Sequence, residues 1–181
     1  MPFYQVFHSY PLTQEQRQAI ASSITNLHCN AFTTPSFFVH VHFVKEDVSD
    51  GAYFLAGKSR AVTSNRIIGI VRTSATRTKG VFDDLAAQIE NEWYSTLKTV
   101  APTEKAEWSQ DDEAKRLLQV AFVPMITIRE GGMAIPEAGQ EGSWLKEQLP
   151  YFKEMSEKGI EDFSDLLSEL KERGDMNNLL Q

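Results

Sequence analysis

The chain has 181 residues, enough for one compact domain or two small halves sharing a core, and its 41% hydrophobic and 24% charged content is that of a soluble globular protein. A net charge of −7, from 25 acidic and 18 basic residues, argues against a nucleic-acid partner, which needs a basic face. The single cysteine, Cys29, excludes an intrachain disulfide and points to a reducing, cytoplasmic compartment; no stretch approaches a membrane span, and MPFYQVFHSY has neither the basic nor the apolar region of a signal peptide.

In chain order, Phe3 to His8 is rich in aromatic and β-branched residues and reads as a strand. Thr13 and Gln16 have the spacing of a capping box, and Ile20, Ile24 and Leu27 give the following helix one apolar face to about Leu27 or Cys29. Pro35 breaks the pattern. The run Phe37 to Val44 is a strand, with Val39, Val41 and Phe43 on one face and His40 and His42 on the other. After a turn region at Asp47 to Gly51, Tyr53 to Leu55 is a short apolar run and Arg66 to Arg72 a β-branched strand. Val81 to Leu97 is a helix with Phe82, Leu85, Ile89 and Trp93 along its buried side. Pro102 to Asp112 is a surface loop or short helix. Leu117 to Ile128 is a strand marked by Pro124, and Gly131-Gly132 forms a turn. In the tail, Ile160, Phe163, Leu166, Leu167 and Leu170 fit an amphipathic helix closed by Gly174. This segment packs either on the chain's own sheet or on a neighbouring subunit.

Strand, helix, strand therefore occurs twice. Two parallel β-α-β units pair into a four-stranded sheet with both helices on one face, an α+β fold whose other face calls for a cover such as oligomerisation. The domain expected is 1–144, in halves of about 1–60 and 61–144, followed by a helical extension over 145–181.

The candidate chemistry begins at Pro2. Initiator methionine is normally removed before a residue as small as proline, which leaves a secondary amine fixed at a strand end. Burial or nearby cations disfavour its charged form, so it serves as a base when neutral and an acid when protonated. His28 lies at the end of the first predicted helix, where a histidine also often caps carbonyls. Arg72 and Arg77, at and beyond the end of a strand, offer planar donor forks suited to a carboxylate, although loop arginines are commonly solvated. Glu130 approaches the glycine turn and has the plain alternative of a surface carboxylate. His40 and His42 share a strand face, but no cysteine or carboxylate spacing completes a metal site, so neither metal nor other cofactor is expected. There is no dinucleotide-binding glycine motif and no P-loop.

Several of these residues recur in a known order. Pro2 opens the first strand, followed by Leu12-Thr13, Ala21, Ile24-Thr25, His28, Val41-His42-Phe43 and Phe54-Leu55-Ala56-Gly57. Pro124 and Glu130 follow, then Pro136, Gly139 and Glu141-Gly142-Ser143-Trp144. Over residues 2 to 145 the chain resembles the tautomerase superfamily, and within it the cis-3-chloroacrylic acid dehalogenase group. The resemblance implies fused β-α-β units, a homotrimer, and an N-terminal-proline enzyme for a small unsaturated or 2-oxo carboxylate: a tautomerase, hydratase or hydrolytic dehalogenase. It implies Pro2 as the catalytic proline, His28, Arg72 and Arg77 on the substrate carboxylate, and Glu130 as an activator of water. The group's two arginines stand closer together than Arg72 and Arg77, and Gln119 occupies the place of its tyrosine. A non-catalytic oligomeric binding module that keeps the fold is the alternative, and an unrelated acid–base enzyme centred on His28 a third.

Overall fold

The structure, a computed structural model, describes residues 1–60, 63–104 and 107–176. The expected junction of the halves at residue 61, and residues 177–181 of the extension, lie outside them.

Strand β1 (Phe3–His8) leads through the Thr13–Gln16 capping box into α1 (Gln14–Phe32). The Thr13 hydroxyl accepts from the Gln16 amide at 3.2 Å, and the Gln16 side chain accepts from the Thr13 amide at 2.9 Å. The helix outruns its predicted end because no glycine or proline interrupts it before Thr33, which stops it in a left-handed conformation at φ 47°. A 3₁₀ turn at Ser36–Phe38 then replaces the start of the predicted strand, leaving β2 as His40–Lys45. The hairpin β3 (Phe54–Leu55) and β4 (Lys58–Ser59) precedes β5 (Arg66–Val71), α2 (Lys79–Thr96), the short α3 (Gln110–Lys115) and β6 (Gln119–Pro124). The chain closes with the hairpin β7 (Arg129–Glu130) and β8 (Met133–Ala134), then α4 (Glu141–Glu157) and α5 (Glu161–Glu172).

The four-stranded sheet has the order β2-β1-β5-β6. β1 is parallel to β2, β5 is parallel to β6, and the two units meet where β1 runs antiparallel to β5. Strict alternation of burial along β1 and β5 turns Tyr4, Val6, Ile67 and Val71 toward α1 and α2, where they form one core with Ile20, Ile24, Leu85, Ile89 and Trp93. On the opposite face Phe3, Phe7, Ile68 and Ile70 remain half-buried and Val123 is exposed. At the far end of the sheet, Asn65 accepts from the Ser9 and Tyr10 amides and donates to the Ala114 and Arg116 carbonyls, tying the two units together.

A second core lies beside the first. Met1, Phe38 and Met133 pack with Trp144, Leu145, Phe152, Phe163, Leu166 and Leu170 of α4 and α5. The C-terminal helices thus fold onto their own chain, with Glu169 accepting from the Ser36 amide and hydroxyl and Arg173 donating to the Thr34 carbonyl. Helix α4 has no counterpart in the sequence reading and spans the point at which the extension was expected to begin.

Gly69 sits on the helix-facing side of β5, where a Cβ would lie 2.8 Å from the Phe122 ring and 2.9 Å from that of Tyr4. Gly69→Ala is expected to destabilise the fold by about 1–3 kcal/mol through overpacking, read as a lower denaturant midpoint with unchanged slope.

Candidate active site

The β1–β5 register sets the site. Phe3 pairs with Ile70, so two residues outward Met1 comes level with Arg72. Phe3 also pairs with His40 of β2, whose amide donates to the Pro2 carbonyl at 3.2 Å. The N-terminus, the end of β5 and the start of β2 therefore share one edge of the sheet. The β7–β8 hairpin, turned by Gly131 and Gly132 at φ 54° and 83°, brings Glu130 to the same place.

Met1 and Pro2 are both buried. Met1 lines a small cavity of about 10 Å³ together with Thr34, Phe38, Arg72, Ile135, Trp144 and Leu145. Its amine is pushed down from 8.0 to about 5, first by burial and then by the charges of Arg72 and Arg77, against the opposing pull of Glu130 and Glu141. One buried amine thus lies within electrostatic reach of both arginines and both carboxylates.

His28 is not a helix cap, because α1 continues past it to Phe32. It is 3% exposed, and its ring lies 4.7 Å from that of Phe32. The Tyr4 hydroxyl is 2.9 Å from Nδ1. Burial, and then the nearby Cys29, raises the Tyr4 pKa, so the phenol keeps its proton and donates it to Nδ1. The remaining imidazole proton then belongs on Nε2. Burial, followed by the N-terminal amine, Arg77 and Arg72, drives the His28 pKa down to about 3, so at neutral pH it is an uncharged donor.

Arg72 and Arg77 converge, and on a carboxylate of their own chain. Each donates an Nη2 hydrogen to Oε1 of Glu141 at 2.6 Å, while Oε2 accepts from the Gly139 amide at 2.6 Å. Arg72 Nη1 donates to the Pro136 carbonyl, and Arg77 lies over the Phe32 ring at 5.1 Å. Arg72 Nε is buried with no hydrogen-bond partner among the described residues. Burial disfavours the Glu141 carboxylate, but Arg77, Arg72 and two backbone hydrogen bonds outweigh it and hold the group below its ordinary 4.5.

Glu130 accepts from or shares a proton with His40, Oε1 to Nε2 2.7 Å, while Oε2 is buried without a hydrogen-bond partner among the described residues. Gln119 is elsewhere, opposite Arg66 at the other end of β5, and Phe122 faces the helices against Phe82. The structure thus gathers Pro2, His28, Arg72, Arg77 and Glu130, and adds Tyr4, His40 and Glu141. The alternation along β2 placed His40 on the right face, but nothing local links it to a glutamate 90 positions away. Glu141 was legible only as part of the Glu-Gly-Ser-Trp motif.

A family model described as "Putative oxalocrotonate tautomerase enzyme" matches residues 1–148. Among solved structures, the chain is similar to N1, a member of the cis-3-chloroacrylic acid dehalogenase family: 26% identity, TM-score 0.61, covering 90% of this chain and 99% of that one. A fused 4-OT described as a wild-type asymmetric trimer shares 15% identity with a TM-score of 0.52, over 73% of this chain and 94% of that one. Leishmania major MIF2 shares 12% at a TM-score of 0.53, over 75% and 97%. The latter two likenesses concern the fold. No curated protein sequence matches.

Glu141→Gln leaves two guanidiniums, with side chains 9% and 10% exposed, without their counter-charge. The variant is expected to lose about 3 kcal/mol at pH 7. Because the Glu141 pKa is lowered on folding, its contribution is present above 4.5 and lost as pH falls through the depressed value, so the gap to wild type closes in acid. Denaturant midpoints measured from pH 7 down to pH 3 follow it. Added pyruvate, supplying a carboxylate to the arginines, is expected to raise the Tm of the variant more than that of wild type.

Proposed function

The chain belongs to this oxalocrotonate tautomerase family, within the tautomerase superfamily, and on that premise we propose that it is an N-terminal-proline enzyme acting on a small unsaturated or 2-oxo carboxylate by proton transfer. Removal of Met1 turns the buried terminus into the secondary amine of Pro2 and frees the space of the buried Met1 side chain. The observation that carries this reading is the setting of the terminus: burial and the charges of Arg72 and Arg77 disfavour a cation at the Met1 amine, and Pro2 is buried next to it at the same end of the sheet. A terminus neutral at pH 7 is a general base, and a base favours keto–enol tautomerisation over the acid role that hydration or dehalogenation would require.

In this mechanism the substrate carboxylate exchanges with Glu141 on Arg72 and Arg77. Pro2 takes a proton from the enol oxygen or from carbon next to the carbonyl and returns it at the other position. The arginines draw charge toward the carboxylate end, and the uncharged His28 donates from Nε2 to the developing oxyanion. Glu130 holds a water where the reaction adds one. The fused 4-OT structures described as trimers, together with the apolar outer face of the sheet, support a homotrimer for this chain.

A non-catalytic binding module is the second reading, favoured by the self-occupied arginine pair. Mass spectrometry of the purified chain is expected to find Met1 removed. With phenylenolpyruvate as substrate, Pro2→Ala is expected to lower kcat/KM by about 100-fold or more. The wild-type rate is expected to rise with pH as the Pro2 amine loses its proton, with a midpoint below that of an ordinary N-terminal proline. A demethionylated wild type inert toward 2-oxo acids and 3-haloacrylates would establish the module instead.

A further inference from the structure

We propose that His40 is a positioning residue that acts through Glu130, carrying its proton between the buried site and solvent. The two groups form a dyad with two different outlooks. Glu130 is the less exposed partner, its side chain 14% exposed, Oε2 buried without a hydrogen-bond partner among the described residues, and its charge within electrostatic reach of the N-terminal amine. His40 is outside, its side chain 50% exposed. It opens on a cavity of about 460 Å³ lined also by Phe37, Glu130, Asp162, Phe163 and Asp165. The hydrogen bond at 2.7 Å from Oε1 to Nε2 is the link between them. With Nε2 engaged, Nδ1 is the ring nitrogen left to exchange protons with cavity water.

The proton balance follows from this arrangement. Carboxylate and neutral imidazole together carry one negative charge. A proton taken up by Glu130 from a bound water or from substrate passes to Nε2 of a ring that holds its own proton on Nδ1, leaving carboxylate and imidazolium; the Nδ1 proton departs to bulk water, and exchange of the ring protons with cavity water restores the starting tautomer. The reverse sequence supplies a proton. No other reactant is consumed. The charged groups around His40 favour this traffic. The hydrogen bond to Glu130 raises its pKa above 6.5, against burial and the N-terminal amine of the neighbouring strand. Asp162 and Asp165 of α5 face it across the cavity. A ring bonded to the carboxylate and open to cavity water gives the proton a direct exit from the site.

This inference rests on the reading of the site as an acid–base centre, and its failure is separable from the failure of that reading. The assays use demethionylated full-length protein and phenylenolpyruvate, with 3-chloroacrylate for the water-adding reaction. With 3-chloroacrylate, where the bound water must lose a proton, His40→Ala is expected to lower kcat about 100-fold with KM within about 3-fold, and to remove the pH-dependent limb that belongs to the dyad. Imidazole, small enough for the open cavity, is expected to restore at least about 10-fold of the loss in His40→Ala and none in Glu130→Gln. NMR titration is expected to find the His40 ring above 6.5 in wild type and lower in Glu130→Gln, whether or not any substrate turns over. If His40→Ala keeps the wild-type rate and pH profile while Pro2→Ala is inactive, the proposal for His40 falls and the proline enzyme stands. If Pro2→Ala is as active as wild type, the proline reading falls. A loss in His40→Ala that imidazole does not restore assigns His40 a packing role alone and overturns the proposal.

Discussion

The antiparallel register of β1 on β5 is the constraint on which the rest depends. It alone sets which residue of one β-α-β unit meets which residue of the other. With Phe3 opposite Ile70, the buried N-terminus and Arg72 come to the same edge, and parallel pairing with β2 adds His40. A slip of one residue would turn Tyr4, Val6 and Ile67 out of the helix-facing core and separate the amine from the arginine. Gly69 guards this register, because only there do the Tyr4 and Phe122 rings find room. The same Tyr4 that fills the space fixes the tautomer of His28, so packing and site chemistry share one side chain.

Bringing two guanidiniums to a buried edge creates a charge problem that the first 140 residues do not solve. Glu141 solves it from the first turn of α4. The C-terminal helices are therefore coupled to the site by charge as well as by the apolar core around Met1 and Trp144. Their hold on the 3₁₀ turn through Glu169 and Arg173 fixes the strap from Thr34 to Phe38 that walls the N-terminal cavity. Under the proposed function a carboxylate substrate would compete with this internal partner, and its affinity would be the difference between the two. That arrangement keeps both arginines ordered while no ligand is bound, a form of preorganisation.

The sheet, its two helices and the face assignments were legible because each rests on a local signal: period-2 alternation, a capping box, an apolar stripe at helical spacing. The ends of α1 and β2 were less so. Thr33 and Ser36 carry no strong stop or start signal, and the burial of Phe38 in the second core decides where β2 begins. Helix α4 escaped notice because Pro150 sits inside it and its apolar residues answer to a distant partner surface. Among the site residues, Pro2, His28, Arg72, Arg77 and Glu130 were named from residue type, position and resemblance. Their mutual geometry was not, since the contacts of Glu130 with His40 and of Glu141 with both arginines span 90, 69 and 64 positions. No periodicity encodes such a separation.

Two histidines near one amine are driven in opposite directions, and the contrast divides the labour of the site. His28, buried beside cations, is pushed down to about 3 and stays neutral; it offers a hydrogen bond but cannot take up a proton near pH 7. His40, half-exposed and joined to a carboxylate, is pushed up. Exchanging the two environments would put a cation against the arginines and a buried neutral ring beside the carboxylate. Opposed shifts of like groups are how one small cleft gives two imidazoles different proton affinities. The amine near both is pushed down by burial and by the same arginines that act on His28, which supports the base role proposed for the terminus.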